Sequence, residues 1–299
     1  MVQFPEGEYE CEIEESFFER RETREEVRQA ELEVGWRSFV ARVYTALAKN
    51  RIGVVKRLAV KNVIAKEASV WRSHEWRILL GGLVAFEIDM RVEEIGGARL
   101  LSNLRGYSDF VDSLNELFFD HLSIVREVRF FATEQGPVGA HGTNIAPFTF
   151  SRTSMPNLQR LSLSYFFIGN SLADFLTSHS RTLCSIRFCN MFAESGPNRL
   201  KGENVNWEDF IETLLHAEPT FPVLHEFDMG FAFIDQDTGL LETVVFNSPT
   251  NFEDSYRVMD AALGAYICDQ PPGRIKSDVR AYRKFQNLIE RNRKKKDIY

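Results

Sequence analysis

The chain has 299 residues, with six histidines and four cysteines, and what those groups could do chemically turns on their spacing. The run GNSLA at 169–173 places Ser171 between an apolar strand-like stretch and a helical one. A serine nucleophile needs such an exposed turn, followed along the chain by an acid and a histidine; His216 or His225 could supply the base. The competing reading is that Ser171 caps the helix, with Asp174 three residues on completing a near capping box. His74–Glu75 and His225–Glu226 both begin the zinc pattern H-E-x-x-H, but one helical turn on stand Ile78 and Met229, so neither pair shares a face with a second ligand. Cys184 and Cys189 lie five apart rather than in C-x-x-C and read as strand thiols. GPVGAHG at 136–142 has neither P-loop nor dinucleotide-loop spacing and reads as a loop. No catalytic residue, metal ligand or cofactor site is assigned, and the chain is expected not to be an enzyme.

Aromatic and charged groups leave binding chemistry open. Phe is abundant, with 25 residues against 8 Tyr and 4 Trp. The adjacent pairs Phe17/Phe18, Phe118/Phe119, Phe130/Phe131 and Phe166/Phe167 could stack bases, or could send one ring into the core and one outward on a strand. Stacking needs positive charge around it, and the net charge of -7 argues against a general nucleic-acid binder. Four cysteines without a paired framework, and no Asn-x-Ser/Thr site, point to a reducing compartment. The longest uncharged run, Gln135 to Ser151, carries two prolines and three glycines, and the opening MVQFPEGEYE lacks a basic start and an apolar stretch. The expected location is the cytoplasm or the nucleus, with RNRKKK at 291–296 as a candidate import signal.

Three regions must position any site. Residues 1–34 hold twelve Glu and four Arg and predict an acidic helical lead, helical from about Phe17 to Val34. Residues 276–299 predict an amphipathic helix with Val279, Tyr282, Phe285, Leu288 and Ile289 on its apolar face, ending in an exposed basic tail. Between them, residues 35–275 alternate short apolar runs with helical spacing. The clearest unit has Leu158, Leu161 and Leu163 on a strand, a turn at Gly169–Asn170, a helix with Leu172, Phe175 and Leu176 inward, and a restart at Leu183, Ile186 and Phe188. Twenty-five residues separate the two strands. Val55/Leu58/Val60, Leu83/Phe86/Ile88, Val125/Val128/Phe130 and Leu224/Phe227/Met229 follow the same phase, at steps of 28, 42, 33, 25 and 41 residues. Helical spacing at Phe39/Val43/Leu47, Phe110/Leu114/Leu117 and Trp207/Phe210/Ile211/Leu214 precedes or separates most of them. The longer steps call for insertions, placed at Gly136–Phe150 and Glu194–Asn206. The expected fold class is α/β, an irregular leucine-rich-repeat solenoid with a short curved parallel sheet and helices on its convex side.

The run from Met155 to Glu194, followed by NWEDFIETLLHAEPTFPVLHEFDM, is similar to the leucine-rich-repeat region of fungal F-box proteins. Leu161, Leu163, Leu172, Asp174, Phe175, Leu176, His179, Leu183, Trp207, Phe210, Ala217, Glu218 and Pro219 occupy the positions of that pattern. YSDFVDSLNELFFDHLSIVREVRFFATEQGPVG resembles its preceding repeat, so the likeness spans roughly residues 105–230. The resemblance implies the substrate-recognition arm of a ubiquitin ligase. An F-box is a short helical module rich in Leu, Ile and Val, whereas residues 1–34 contain only Ile13 and Leu32 of Leu and Ile. The adaptor-binding half is therefore expected to be missing from this chain. A stand-alone interaction scaffold is the alternative, and a serine hydrolase around Ser171 a distant third.

If the strand leucines face the core, the alternate residues line the other face. That phase selects Arg129, Phe131, Arg160, Ser162, Arg187 and Asp228 as a protein-binding surface. Five basic and five acidic residues alternate across the full set of such positions, which suits a protein partner better than a polyanion. The partner is expected to be a protein, a substrate or a scaffold client. No nucleic acid and no membrane is expected, and a ligase adaptor only through an F-box outside this chain.

Overall fold

The computed structural model describes residues 2–3, 20–50, 53–90, 104–139, 148–194, 205–217, 219–234, 241–245, 256–260, 265–268 and 275–296. After a two-residue edge strand, β1 (Val2–Gln3), come two helices, α1 (Arg24–Glu33) and α2 (Gly35–Ala48). The chain then builds β2 (Arg57–Val63), α3 (His74–Gly81), β3 (Ala85–Met90), α4 (Arg105–Leu117), β4 (Glu127–Phe131), β5 (Arg160–Ser164), α5 (Asn170–Ser178), β6 (Ser185–Cys189), β7 (Ala193–Glu194), α6 (Trp207–Leu215) and β8 (Glu226–Ile234). It finishes with β9 (Leu241–Val245), β10 (Tyr256–Asp260), β11 (Ala265–Cys268) and α7 (Ile275–Lys296).

The fold is α/β. Strands β2, β3, β4, β5, β6 and β8 lie side by side in chain order, all parallel, with β1 added at one edge and β9 antiparallel at the other. In a doubly wound sheet the strand order reverses and helices cover both faces; here the order never reverses. The register is regular. Leu58, Phe86, Val128, Leu161, Ile186 and Phe227 pair in one row, and Val60, Ile88, Phe130, Leu163, Phe188 and Met229 in the next. These are the residues of the expected strand phase, and every one is 4% exposed or less. Residues with φ near +55° end strands at Tyr165 and Asn190, again twenty-five positions apart, and a third, Asn62, makes the irregularity in β2.

One layer of helices supplies the rest of the core. Trp76, Phe110, Leu114, Leu172, Phe175, Leu176, Phe210, Ile211 and Leu214 join the inward strand rows in a single cluster. Local chemistry sets the helix starts. Thr23 and Glu26 form a capping box on α1, Ser73 accepts the Trp76 N–H for α3, and Asn206 accepts the Asp209 N–H for α6. Between β4 and β5 the described residues include no helix; Phe148 and Phe150 fill its place, against Phe119, Phe130 and Phe166, with Phe150 also stacked on Phe175 at 4.7 Å.

Several expectations change. The helical lead begins at Arg24, not near Phe17: Arg20–Thr23 is not helical, and residues 4–19 lie outside the described set. In α2 the most buried residues are Arg37, Tyr44 and Ala48, because Tyr44 wedges between Trp71 and Trp76 at 5.1 and 5.5 Å and sets the helix rotation. Of the expected Phe39, Val43 and Leu47, the last two are half-buried, and Leu47 packs against the core. Phe39 is 41% exposed. Gly169, not Ser171, is the N-cap of α5, and Asp174 pairs with Arg152 instead of reaching back to a cap. Of the Phe pairs, only Phe130/Phe131 alternates; Phe118/Phe119 and Phe166/Phe167 are buried on both members, and Phe17/Phe18 lie outside the described residues. Most of the proposed insertion segments, 140–147 and 195–204, also lie outside them.

Helix α7 is amphipathic and its basic residues Arg291 and Arg293–Lys296 are exposed, as expected, but its last turns are also docked on the body. Asn292 is buried and donates to the carbonyls of Phe221 and Leu224, both at 2.8 Å, and Arg293 donates to that of His225. Phe285 packs on Phe227 at 4.9 Å. Buried Asp278 accepts the Glu208 N–H at 2.9 Å and so caps α6 from across the interface.

Candidate protein-binding face

The strand residues that point away from the helices form the second face of the sheet. Its first row runs Arg57, Ala85, Glu127, Arg160, Ser185, Glu226, and its middle row Ala59, Glu87, Arg129, Ser162, Arg187, Asp228. Each strand places a side chain here because neighbouring residues alternate between faces. Arg129, Arg160 and Arg187 do stand on three successive strands, but in two rows. Arg129 and Arg187 share the middle row with Ser162 between them, about 9.6 Å apart at ordinary strand spacing. Arg160 lies one row below.

The charges are layered as well as interleaved. Glu127 has a side chain only 11% exposed, and three guanidinium groups converge on it: Arg129 at 2.8 Å, Arg57 at 3.3 Å and Arg160 at 3.8 Å. Burial alone would raise the Glu127 pKa, but the charges and hydrogen bonds of Arg129 and Arg57 outweigh it and leave the carboxyl below its ordinary value. Glu87 sits between Lys61 at 3.2 Å and Arg129 at 3.7 Å. Arg187 reaches Asp228 at 3.5 Å and Glu226 at 3.8 Å. The arginine side chains remain 46–69% exposed. Carboxylates therefore form the lower layer on β3 and β4, and guanidinium groups project over them.

Towards the strand C-termini this face closes. Ser164, Cys189 and Gly230 are buried, and Phe131 and Asp89 are half-buried beside them. Asp89 has its pKa pushed up to about 6, chiefly by burial, with Glu87 adding to the rise and Lys61 opposing it. The accessible surface is thus the first two rows. Of the six residues selected from the sequence, Arg129, Arg160, Ser162, Arg187 and Asp228 come together there, and Phe131 stands at the closed margin. Glu127, the group that organises the arginines, falls on this face in the strand phase, as one of its five acidic positions, but was not among the six selected. Its signal was present: an acid two residues before Arg129 on a strand shares its face.

Such a surface can fork hydrogen bonds to carboxylates or backbone carbonyls of a partner. It offers no nucleophile with a base. His179, His216 and His225 each bring Nδ1 to a backbone carbonyl, those of Phe175, Glu212 and Val223, where a catalytic triad would place an acid. The space beside Ser171 amounts to about 10 Å³, lined by Phe148, Phe150, Phe166 and Leu172. Among the described residues no group of three His, Cys, Asp or Glu could hold a metal ion, and no helix is long and apolar enough to cross a membrane. Comparison with protein-family models, curated proteins and solved structures gives no match.

Proposed function

We propose that this chain is a non-enzymatic protein-binding module, a leucine-rich-repeat solenoid of the kind that forms the substrate arm of fungal F-box proteins, and that the first two rows of the open sheet face are its recognition surface. The observation that carries this reading is the group of projecting arginines, from two rows, held over Glu127, on a sheet whose strands run in chain order without reversal. Arg groups in a fixed frame are common energetic centres of protein interfaces, because a preorganised fork loses little entropy on binding.

The test must respect Glu127. Reversing Arg129 would set a carboxylate against a mostly buried one, so neutral substitutions are the cleaner probe. Affinity capture from cell extract with wild type and with R160Q/R187Q, each quantified by mass spectrometry, should recover a partner that the double variant loses. R105Q, an exposed arginine on α4, should recover it normally. Equal recovery by R160Q/R187Q would move the binding surface elsewhere.

A stand-alone scaffold without a ligase link has one observation in its favour. Helices α1 and α2 are spent on the repeat body: Glu31 accepts the Ser69 N–H and hydroxyl, and Tyr44 is buried among Trp71 and Trp76. Helices so used serve as an end cap for a stacked core. Calorimetry of this chain with purified ligase adaptor should give no heat under either reading, because the adaptor-binding half is expected to lie outside it; a micromolar complex would overturn that expectation and tie the chain itself to a ligase.

A further inference from the structure

Helix α1 places its cations against its own electrostatics. Arg24 is its first residue and Arg28 lies one turn on, so like charges share a face in the half of the helix where the dipole favours anions. Among the described residues, the one carboxylate within 4 Å of Arg28 is that of Glu25, at 3.7 Å, with both side chains largely in solvent. No carboxylate lies within 4 Å of Arg24 among the described residues. Both arginines line a recess of about 290 Å³ between α1 and the Glu67–Ser73 segment, which is the small end of the range for ligand sites.

The rest of the lining shows which donors are free. Glu67 is satisfied by Arg21 at 2.9 Å and Arg72 at 2.8 Å, and Arg72 also spans to Glu116. Ser69 spends its N–H and its hydroxyl on Glu31, at 2.7 and 2.6 Å. Ser73 differs: its Oγ accepts the Trp76 N–H at 3.1 Å, which leaves its own proton to donate. Val27 is a buried, apolar member of the lining. The charged lining is three arginines and one carboxylate, with Glu116 on Arg72, Glu31 on Ser69 and Glu25 near Arg28 just outside it, and the least engaged donors are the forks of Arg24 and Arg28 and the hydroxyl of Ser73.

We propose that this recess is a binding site for a phosphate monoester, its dianion held by Arg24 and Arg28 with Ser73 as the third donor. Two guanidinium forks match the charge and oxygen geometry of a dianionic phosphate better than that of a single carboxylate. The ester can be borne by a small molecule or by a phosphorylated side chain, since both present the same group. The site lies apart from the open sheet face, on other elements, and does not depend on what that face binds.

Calorimetry at low ionic strength tests it with three probes: O-phosphoserine, a short phosphoserine peptide and malonate. Saturable binding of a phosphate probe is expected, weakened about tenfold or more in R24Q/R28Q by the loss of two charge-assisted contacts. R105Q should bind as wild type. Because the double variant relieves like charges at a helix N-terminus, its melting temperature should equal or exceed that of wild type, so lost binding cannot be put down to unfolding. A tighter peptide points to a protein-borne phosphate and a tighter amino acid to a small ester. Absence of saturable phosphate binding, unchanged affinity in R24Q/R28Q, or malonate binding as tightly as phosphate would each overturn the proposal.

Discussion

The two faces of one sheet obey opposite rules. On the helix side, two rows across six strands hold apolar residues, all 4% exposed or less. On the other side, the same strands carry arginines 46–69% exposed over carboxylates such as Glu127. Alternation along each strand separates the two sets, so that in the middle row a change of one position moves a substitution from the core to the charged face. The core and the charged rows can therefore be altered independently in this protein, and the variants that follow try that division in order of expected effect.

The largest effect belongs to the inner rows. Leu161 is fully buried between Val128 and Ile186 on the neighbouring strands. Leu161→Ala should cost about 2–5 kcal/mol, a transfer loss plus a cavity that the packed rows cannot close. Urea titration measures it, and a loss under about 1 kcal/mol would mean that this row is not the core.

The helix layer also buries polar groups, and these should matter through their pairing. Asp278 is fully buried and caps α6 through the Glu208 N–H. Asp278→Ala orphans that donor and should cost about 1–3 kcal/mol, while Asp278→Asn keeps an acceptor and should cost less. Thermal unfolding of the two variants side by side reads the difference; equal losses would show that the charge, not the hydrogen bond, is what counts.

How the two faces arise was largely legible in the chain. The phase set by Leu158, Leu161 and Leu163 extends to all six parallel strands, because period-2 alternation survives long insertions between strands. The helix rotation of α2 was not legible, since Tyr44 chooses its face by packing on Trp71 and Trp76, which are distant in sequence. Nor were the pairings of β9 with β8 and of β7 with β10. A two-residue strand such as β7 has too little pattern to declare itself. On the open face, residue type and side were readable, but the burial of Glu127 beneath three arginines depends on cross-strand register. The closing of the face at Ser164 and Cys189 was likewise invisible in a list of alternating positions.

A pH series distinguishes the closed margin of the open face from its accessible rows. Asp89 has a pKa near 6 in the folded chain, against 3.8 for the ordinary carboxyl, because burial disfavours its charge. Between those values the folded state holds more protons than the unfolded one. The contribution of Asp89 to stability therefore declines as pH rises through that window, and its cost is fully present above about pH 6. Asp89→Asn removes the charge and should stabilise the protein at pH 7.5 by about 1–2 kcal/mol after allowance for solvent screening, with little difference at pH 4. A constant difference at both pH values would mean that Asp89 titrates normally.

The smallest effect is the sharpest test of the division, because it concerns the residue next to Leu161. Ser162 lies in the middle row between Arg129 and Arg187, half-buried, and its hydroxyl makes no hydrogen bond to another described residue. Ser162→Ala leaves no donor or acceptor stranded and opens no cavity in the helix-side core, so its cost should stay below about 0.5 kcal/mol. If the arginines on either side engage a partner, the same substitution should still weaken capture, because it removes a polar group from the centre of the contact at no expense to the fold. A urea midpoint shifted as far as that of Leu161→Ala would erase the distinction between the two faces on which the recognition surface rests.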